Sequence, residues 1–113
     1  MTFSRNTSLE KNSIVYNITM QVELTIHNEW LQWQKAEQIP AIMASGLFTE
    51  YRLFHLLEQD ETGAITYVIQ YFTPSLANYE KFIEEFAPFL RRKAKDRWGD
   101  RFVVFHTIME VMH

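Results

Sequence analysis

The sequence predicts an α+β fold of the ferredoxin-like class, with the element order βαββαβ. Three observations indicate this class. Four segments alternate apolar and polar residues as strands do, two have the apolar spacing of amphipathic helices, and a short polar turn joins the two middle strands. Two βαβ halves of this kind form a four-stranded antiparallel sheet with both helices on one face. The other face must then meet water, a ligand or a second copy of the chain.

The first half of the chain is predicted to form one strand and one helix. The strand begins at Ile14, where apolar and polar side chains start to alternate. A helix follows, with Thr25 as its expected cap and with Trp30 and Trp33 on its buried face. We expect Pro40 to interrupt this helix, because a mid-helix proline removes a backbone donor and clashes with the preceding turn.

The second half is predicted to form three strands and a long helix. The strands span residues 49–58, 64–73 and 101–112, and the first two are joined by the polar turn 60–63. The helix opens after Ser75, bends at Pro88 and ends at Gly99. Its buried stripe is predicted to consist of Leu76, Tyr79, Ile83, Phe86 and Leu90.

Composition sets limits on the class of protein. A chain of 113 residues, of which 47% are hydrophobic, is long enough for one domain with a real core. The net charge of −3 argues against a dedicated nucleic-acid binder, and the absence of cysteine excludes a disulfide framework, a zinc finger and a thiol nucleophile. Aromatic residues make up 15% of the chain, which predicts an aromatic surface beyond the core, either an oligomer interface or a ligand cavity.

The ends and the location of the chain are also predicted. Residues 1–13 are polar and are expected to form a disordered extension, and residues 14–113 form a single domain. Neither a signal peptide nor a membrane-spanning stretch is visible, so we expect a cytoplasmic protein without a membrane partner. We also predict no metal site, because the four histidines lack close ligand spacing, and no cofactor.

Strand alternation assigns five polar residues to the face of the sheet without helices. These candidate ligand-facing residues are Asn17, His55, Gln70, His106 and Glu110. His55 is assigned with the least support, because both sides of its strand are partly apolar. A histidine beside a carboxylate can act as a general base, while the two amides orient a carbonyl group. The favoured alternative is that these groups are satisfied across a dimer interface or by water.

The cationic run 91–97 also has two interpretations. It is a phosphate or nucleic-acid contact, or it complements the negative end of the helix dipole. The second is favoured, because no aromatic residues are interleaved with the basic ones. We therefore predict no nucleic-acid partner.

The chain resembles a family of short bacterial proteins of unknown function over residues 14–112. The matching segments are Ile14-Val15-Tyr16-Asn17-Ile18-Thr19, Trp30-Leu31-Gln32-Trp33, Ile39-Pro40, Gly46-Leu47-Phe48, Arg52-Leu53, Gly63-Ala64-Ile65-Thr66-Tyr67, Gln70-Tyr71, Ala87-Pro88 and Trp98-Gly99-Asp100-Arg101-Phe102-Val103. The resemblance implies the fold of the dimeric α+β barrels, a superfamily that includes antibiotic-biosynthesis monooxygenases and haem-degrading enzymes. Family members often carry histidine close to each helix proline. Here those positions read Glu37-Gln38-Ile39-Pro40 and Glu85-Phe86-Ala87-Pro88, without histidine. Any function that depends on a histidine at those positions therefore does not transfer to this chain.

Two functional hypotheses follow. The first is a non-catalytic homodimeric α+β barrel whose inner sheet face serves dimerisation or binds a small apolar ligand, since a half-apolar sheet face is poorly suited to water alone. The alternative is a cofactor-independent monooxygenase or a haem-modifying enzyme of the same fold, which rests on analogy of fold.

Overall fold

The first strand alternates apolar and polar residues and lies inside an antiparallel sheet, between the third and the fourth strand. The computed structural model describes residues 13–57, 60 and 62–112. Its strands are β1 (Ile14–Glu23), β2 (Glu50–His55), β3 (Ala64–Thr73) and β4 (Phe102–Glu110). They lie in the order β2-β3-β1-β4, and every neighbouring pair is antiparallel. This topology confirms the predicted ferredoxin-like α+β fold.

In the described part of the chain, four helices and one π-helical turn cover one face of this sheet. The helices are α1 (His27–Trp33), α2 (Ile39–Met43), α3 (Leu76–Glu85) and α4 (Ala87–Trp98), and the π turn spans Gln34–Gln38. The buried core lies between these helices and the sheet. The predicted extension falls almost wholly on residues 1–12, which lie outside the described residues, whereas the hydroxyl of Ser13 donates to the carbonyl of Pro74 at 2.8 Å.

Pro40 does not interrupt the first helical segment, so that expectation is wrong. The backbone N–H of Ile39 donates to the carbonyl of Gln34, five residues earlier, which is the hydrogen bond of a π turn. This turn widens the helix just before the proline, and Pro40 then sits in the first turn of α2, where a missing N–H costs little. The helical path therefore continues to Met43.

Thr25 does not cap the first helix either. Ile26 occupies the cap position, and no side chain bonds to the helix start there. The hydroxyl of Thr25 accepts instead from Arg101 at 3.1 Å, and Arg101 also pairs with Glu23 at 3.3 Å. Thr25 thus links the end of β1 to the start of β4.

The second helical segment follows the prediction at its start, its bend and its end. The hydroxyl of Ser75 accepts from the N–H of Asn78 at 3.1 Å, which is an N-cap. The helix breaks at Phe86, and Pro88 then lies in the first turn of α4. Gly99 ends α4 with a φ of +63°.

The predicted buried stripe of this segment needs one correction. Leu76 is 50% exposed, whereas Phe82, which the prediction omits, is only 2% exposed. Tyr79, Phe82 and Phe86 are spaced by three and four residues, so together they form the face towards the sheet. Leu76 lies in the first turn, outside that face.

All three tryptophans belong to the core, which confirms the prediction for Trp30 and Trp33. Trp30 is fully buried and stacks on Tyr67 with ring centroids 5.4 Å apart. Trp33 and Trp98 meet edge to face at 6.0 Å, which joins α1 to the end of α4.

The fourth strand is oriented opposite to the prediction, which places His106 and Glu110 on the side of the sheet without helices. Directly paired residues of antiparallel strands share a face, and Ile18 pairs with His106 while Tyr16 pairs with Ile108. His106 and Ile108 therefore face the helices. Phe105, which falls on the other side, is 55% exposed. Both sides of this strand carry large apolar residues, so alternation alone does not select the buried side.

We call the side of the sheet opposite the helices the open face. Its residues are Glu50, Arg52 and Phe54 of β2, Thr66, Val68, Gln70 and Phe72 of β3, Val15, Asn17, Thr19 and Gln21 of β1, and Val103, Phe105, Thr107 and Met109 of β4. Its middle row is polar, since Gln70 donates to Asn17 at 3.2 Å and Asn17 donates to Thr107 at 3.3 Å. Apolar rows flank this middle row on both sides.

Candidate functional site

A cavity of about 280 Å³ lies between the helices and the side of the sheet that they cover. Residues of β1, β3, β4, the π turn, α2, α3 and α4 all contribute to its wall. Most of that wall is apolar, and its apolar residues include Ile18, Met20, Ile42, Ile69, Phe82 and Leu90. This size and lining are typical of a site for a small, mainly apolar molecule.

Three polar residues meet at one end of the cavity. Tyr16 of β1, Arg91 of α4 and His106 of β4 all line it. Arg91 donates from its Nη2 to the hydroxyl oxygen of Tyr16 at 3.0 Å, and that hydroxyl lies 2.7 Å from Nδ1 of His106. The rings of Tyr16 and His106 are stacked with centroids 5.7 Å apart. We call these three residues the polar cluster.

The electrostatics of the polar cluster favour a neutral histidine. His106 is partly exposed, and its partial burial lowers its pKa. The positive charge of Arg91 lowers this pKa further. The Tyr16 oxygen accepts from Arg91, so its own proton is free for Nδ1, and we assign the His106 tautomer that carries its proton on Nε2. Burial raises the pKa of Tyr16, so this hydroxyl stays protonated near neutral pH. The remaining N–H groups of Arg91 and Nε2 of His106 are therefore donors for a ligand oxygen.

Tyr71 adds a further hydroxyl beside this end of the cavity, since it pairs directly with Tyr16. Its hydroxyl is buried and has no hydrogen-bond partner among the described residues. Burial raises its pKa far above the usual range, so it remains a neutral phenol.

The five residues predicted from the sequence do not form one site. Asn17 and Gln70 lie on the open face, as predicted, and bond to each other. His106, Glu110 and His55 lie on the helix-covered side, because they pair with Ile18, Ile14 and Tyr67. The assignment of these three to the open face is therefore wrong.

Only one of the five reaches the cavity. His106 lines it, whereas His55 lies on the opposite edge strand with its ring 5.6 Å from that of Tyr67. Three strand spacings, roughly 14 Å, separate these two edges of the sheet, so the two histidines cannot act together.

Sequence reasoning misses Arg91, which it treats as part of a charged run. Arg91 comes four residues after Ala87 and three before Ala94, and both alanines are buried. Helical spacing therefore places Arg91 at the edge of the inner face of α4, and this signal is visible in the sequence.

A family model described as "Domain of unknown function (DUF4286)" matches residues 13–112. The chain belongs to the DUF4286 family. No curated protein matches the sequence. Several solved structures are similar to the DUF4286 domain in fold at low sequence identity.

Three of these structures resemble the DUF4286 domain over most of their length. One is SnoaB, a cofactor-independent oxygenase from Streptomyces nogalater, with a TM-score of 0.64, 12% identity and coverage of 89% of this chain and 95% of that one. Another is a monooxygenase of Streptomyces coelicolor in complex with nanaomycin D, with a TM-score of 0.61, 10% identity and coverage of 90% and 89%. A dimeric ferredoxin-like protein from an uncultured marine organism has a TM-score of 0.57, 8% identity and coverage of 91% and 98%. At these identities the likeness establishes the fold alone.

In the described part of the DUF4286 domain, none of the helices has the length and hydropathy needed to cross a membrane. Within residues 13–57, 60 and 62–112, no three His, Cys, Asp or Glu side chains lie close enough together to hold a metal ion.

The lowered pKa of His106 makes the stability of the DUF4286 domain sensitive to acid. Unfolded histidine titrates near 6.5, so below that pH the unfolded chain binds a proton that folded His106 resists. Stability is fully present above about 6.5 and falls as the pH drops from there through the lower pKa of the folded state. We expect the melting temperature to fall as the pH drops below about 6.5.

The His106→Gln variant checks this prediction. Thermal unfolding monitored by circular dichroism is expected to show a smaller acid-induced loss in His106→Gln than in the wild type. Equal slopes in the two proteins would contradict the role of His106.

Proposed function

We propose that each subunit of a DUF4286 homodimer binds one small aromatic molecule with an acidic oxygen in the cavity between helices and sheet. The observation that carries the proposal is the polar cluster at one end of an apolar cavity. Arg91 and neutral His106 supply donors for an anionic oxygen, and hydrogen bonds with a charged partner are the stronger ones. The apolar wall accepts the ring system. The ligand therefore lies under the helices and not on the open face that the sequence suggested.

The homodimer is part of the same proposal, and the open face supports it. Phe54, Val103, Phe105 and Met109 are exposed apolar residues on this face. They flank the polar row in which Gln70, Asn17 and Thr107 are already bonded to one another. A second copy covers the apolar rows and leaves few buried polar groups unpaired, which suits a two-fold interface. One solved structure of this fold is described as dimeric. The cytoplasmic location stays a prediction.

Oxygenation of the bound molecule is the second candidate function. The donors that bind an acidic oxygen also stabilise a phenolate or enolate, the electron-rich form of such a ligand. Two solved structures of this fold are described as a cofactor-independent oxygenase and a monooxygenase. Consumption of dissolved oxygen by the protein with a bound phenol is the measurement that separates a catalyst from a binding protein.

A cavity-filling variant tests the proposed binding site. Ala94 is buried in α4 and lines the cavity, so Ala94→Phe places a ring in the space that the ligand needs. A ligand at about 100 times its Kd stabilises the folded state by about 2.7 kcal/mol, which corresponds to a rise of several degrees in melting temperature. We expect 2-naphthoate to raise the melting temperature of the wild type and not that of Ala94→Phe.

The matched control is Ala77→Phe, which adds the same ring at an exposed position of α3 outside the cavity. This variant is expected to respond to 2-naphthoate as the wild type does. Haem forms a second arm of the screen, because the sequence leaves haem modification open. If the wild type responds to no aromatic acid, or if Ala94→Phe responds fully, the proposed site is wrong.

A further inference from the structure

The π turn places a buried amide at the cavity, away from the polar cluster. Gln34 lines the cavity although its side chain is only 6% exposed. Its Nε2 approaches the sulfur of Met20 at 3.9 Å, and a thioether is a weak acceptor. A buried amide lowers stability unless good hydrogen bonds satisfy it. Single π turns inside helices are frequent at functional sites, and this one begins at Gln34.

Strand β1 gives the distance between the polar cluster and the Gln34 amide. Tyr16 belongs to the polar cluster, and Met20, beside Gln34, follows four residues later on the same side of β1. Four residues of a strand span roughly 13 Å. Apolar side chains such as Ile18 and Ile69 line the cavity between these ends. The polar cluster therefore lies at one end of the cavity, apolar side chains line its middle, and the Gln34 amide lies at the other end. Gln38 and the exposed Lys95 also line the cavity.

We propose that Gln34 is a specificity-determining residue that hydrogen-bonds a neutral polar group on the far end of the ligand. The ligand class is then an elongated aromatic acid, with an anionic oxygen at one end and a hydroxyl or carbonyl group at the other. Because an amide both donates and accepts, it serves either group. This inference rests on the proposed function and adds to it the second polar group and the length of the ligand.

A matched pair of probes and a matched pair of variants test the inference. The probes are 2-naphthoate and 6-hydroxy-2-naphthoate, which differ only by a hydroxyl group opposite the carboxylate. The variants are Gln34→Met, which replaces the amide by an apolar chain of similar length, and Gln32→Met at an exposed position of α1. Binding is measured by isothermal titration calorimetry on the full chain.

We expect the wild type to bind the hydroxylated probe about five-fold more tightly, which is the size of one neutral hydrogen bond. Gln34→Met is expected to lose this preference while still binding 2-naphthoate, and Gln32→Met to keep it. The melting temperature of Gln34→Met is not expected to fall, because the weak contact with Met20 is the only hydrogen bond described for the Gln34 side chain. A structural role alone would lower that temperature and leave the preference intact.

The possible failures are distinguishable. If neither probe binds the wild type, the proposed function itself is wrong. If 2-naphthoate binds and the hydroxyl group brings no preference, or if Gln34→Met keeps the preference, the inference about Gln34 is wrong while the proposed function stands.

Discussion

Replacing Arg91 with glutamine is expected to weaken binding of 2-naphthoate about 10- to 100-fold. The reason is that a hydrogen bond to a charged group contributes about 1.5–3 kcal/mol, and Arg91 is the cation of the polar cluster. The apolar wall is unchanged in this variant, so the binding that remains reflects burial of the ring system. Titration calorimetry at low ionic strength measures the change, since added salt weakens the contribution of an exposed charge.

The matched control is Arg92→Gln. It removes the same charge from the next residue of α4, which is exposed and does not line the cavity. Its affinity for 2-naphthoate is expected to stay within about two-fold of the wild type, because distant surface charges are screened. Equal effects of the two substitutions would show that overall charge, and not the polar cluster, attracts the ligand.

Neutral probes sharpen this prediction. Naphthalene lacks the acidic oxygen, so its binding depends on the apolar wall and is expected to be equally strong in the wild type and in Arg91→Gln. A parallel loss of naphthalene binding would mean that Arg91→Gln damages the cavity, for example by releasing Tyr16 from its bond at 3.0 Å. The melting temperature of the variant gives the same check without a ligand.

The accuracy of the sequence predictions depends on how strongly each strand separates apolar from polar residues. In β1 the helix-facing side is entirely apolar and the other side is mainly polar, so its orientation is predicted correctly. In β4 large apolar residues occur on both sides, for example Val103 and Val104, and the prediction selects the wrong side. For this reason the prediction places His106 on the open face, whereas it lies on the helix-covered side.

The cavity is harder to predict than the fold, because its parts come from different elements and their relative depth is not visible in one sequence. Arg91 is recognisable from helical spacing relative to Ala87 and Ala94. The position of Gln34 is not, because the π turn that presents it replaces an interruption expected at Pro40. Residue periodicity thus predicts faces, whereas the depth of a site depends on how the helices are offset from the sheet.

Replacing Phe105 with glutamate is expected to convert the proposed homodimer into a monomer. Phe105 lies on the open face of edge strand β4 and is 55% exposed in the single chain. In the proposed dimer its ring is buried against the second copy, and a carboxylate in that place loses its hydration without a partner, which costs several kcal/mol. Sedimentation velocity at micromolar concentration is expected to show about twice 13.5 kDa for the wild type and 13.5 kDa for Phe105→Glu.

Phe89→Glu is the control for this variant. Phe89 lies on α4 and is 59% exposed, so the same substitution alters charge and apolar surface equally but leaves the open face intact. It is expected to remain a dimer. A monomeric wild type, or a Phe89→Glu protein that dissociates as readily as Phe105→Glu, would overturn the assignment of the interface to the open face.

The Phe105→Glu monomer also separates the interface from the ligand site. No residue of the open face lines the cavity within the described part of the chain, because the sheet lies between them. The monomer is therefore expected to bind 2-naphthoate with an affinity close to that of the wild type. Loss of binding on dissociation would instead show that the second subunit shapes the cavity through the shared sheet, and that assembly and ligand binding are coupled.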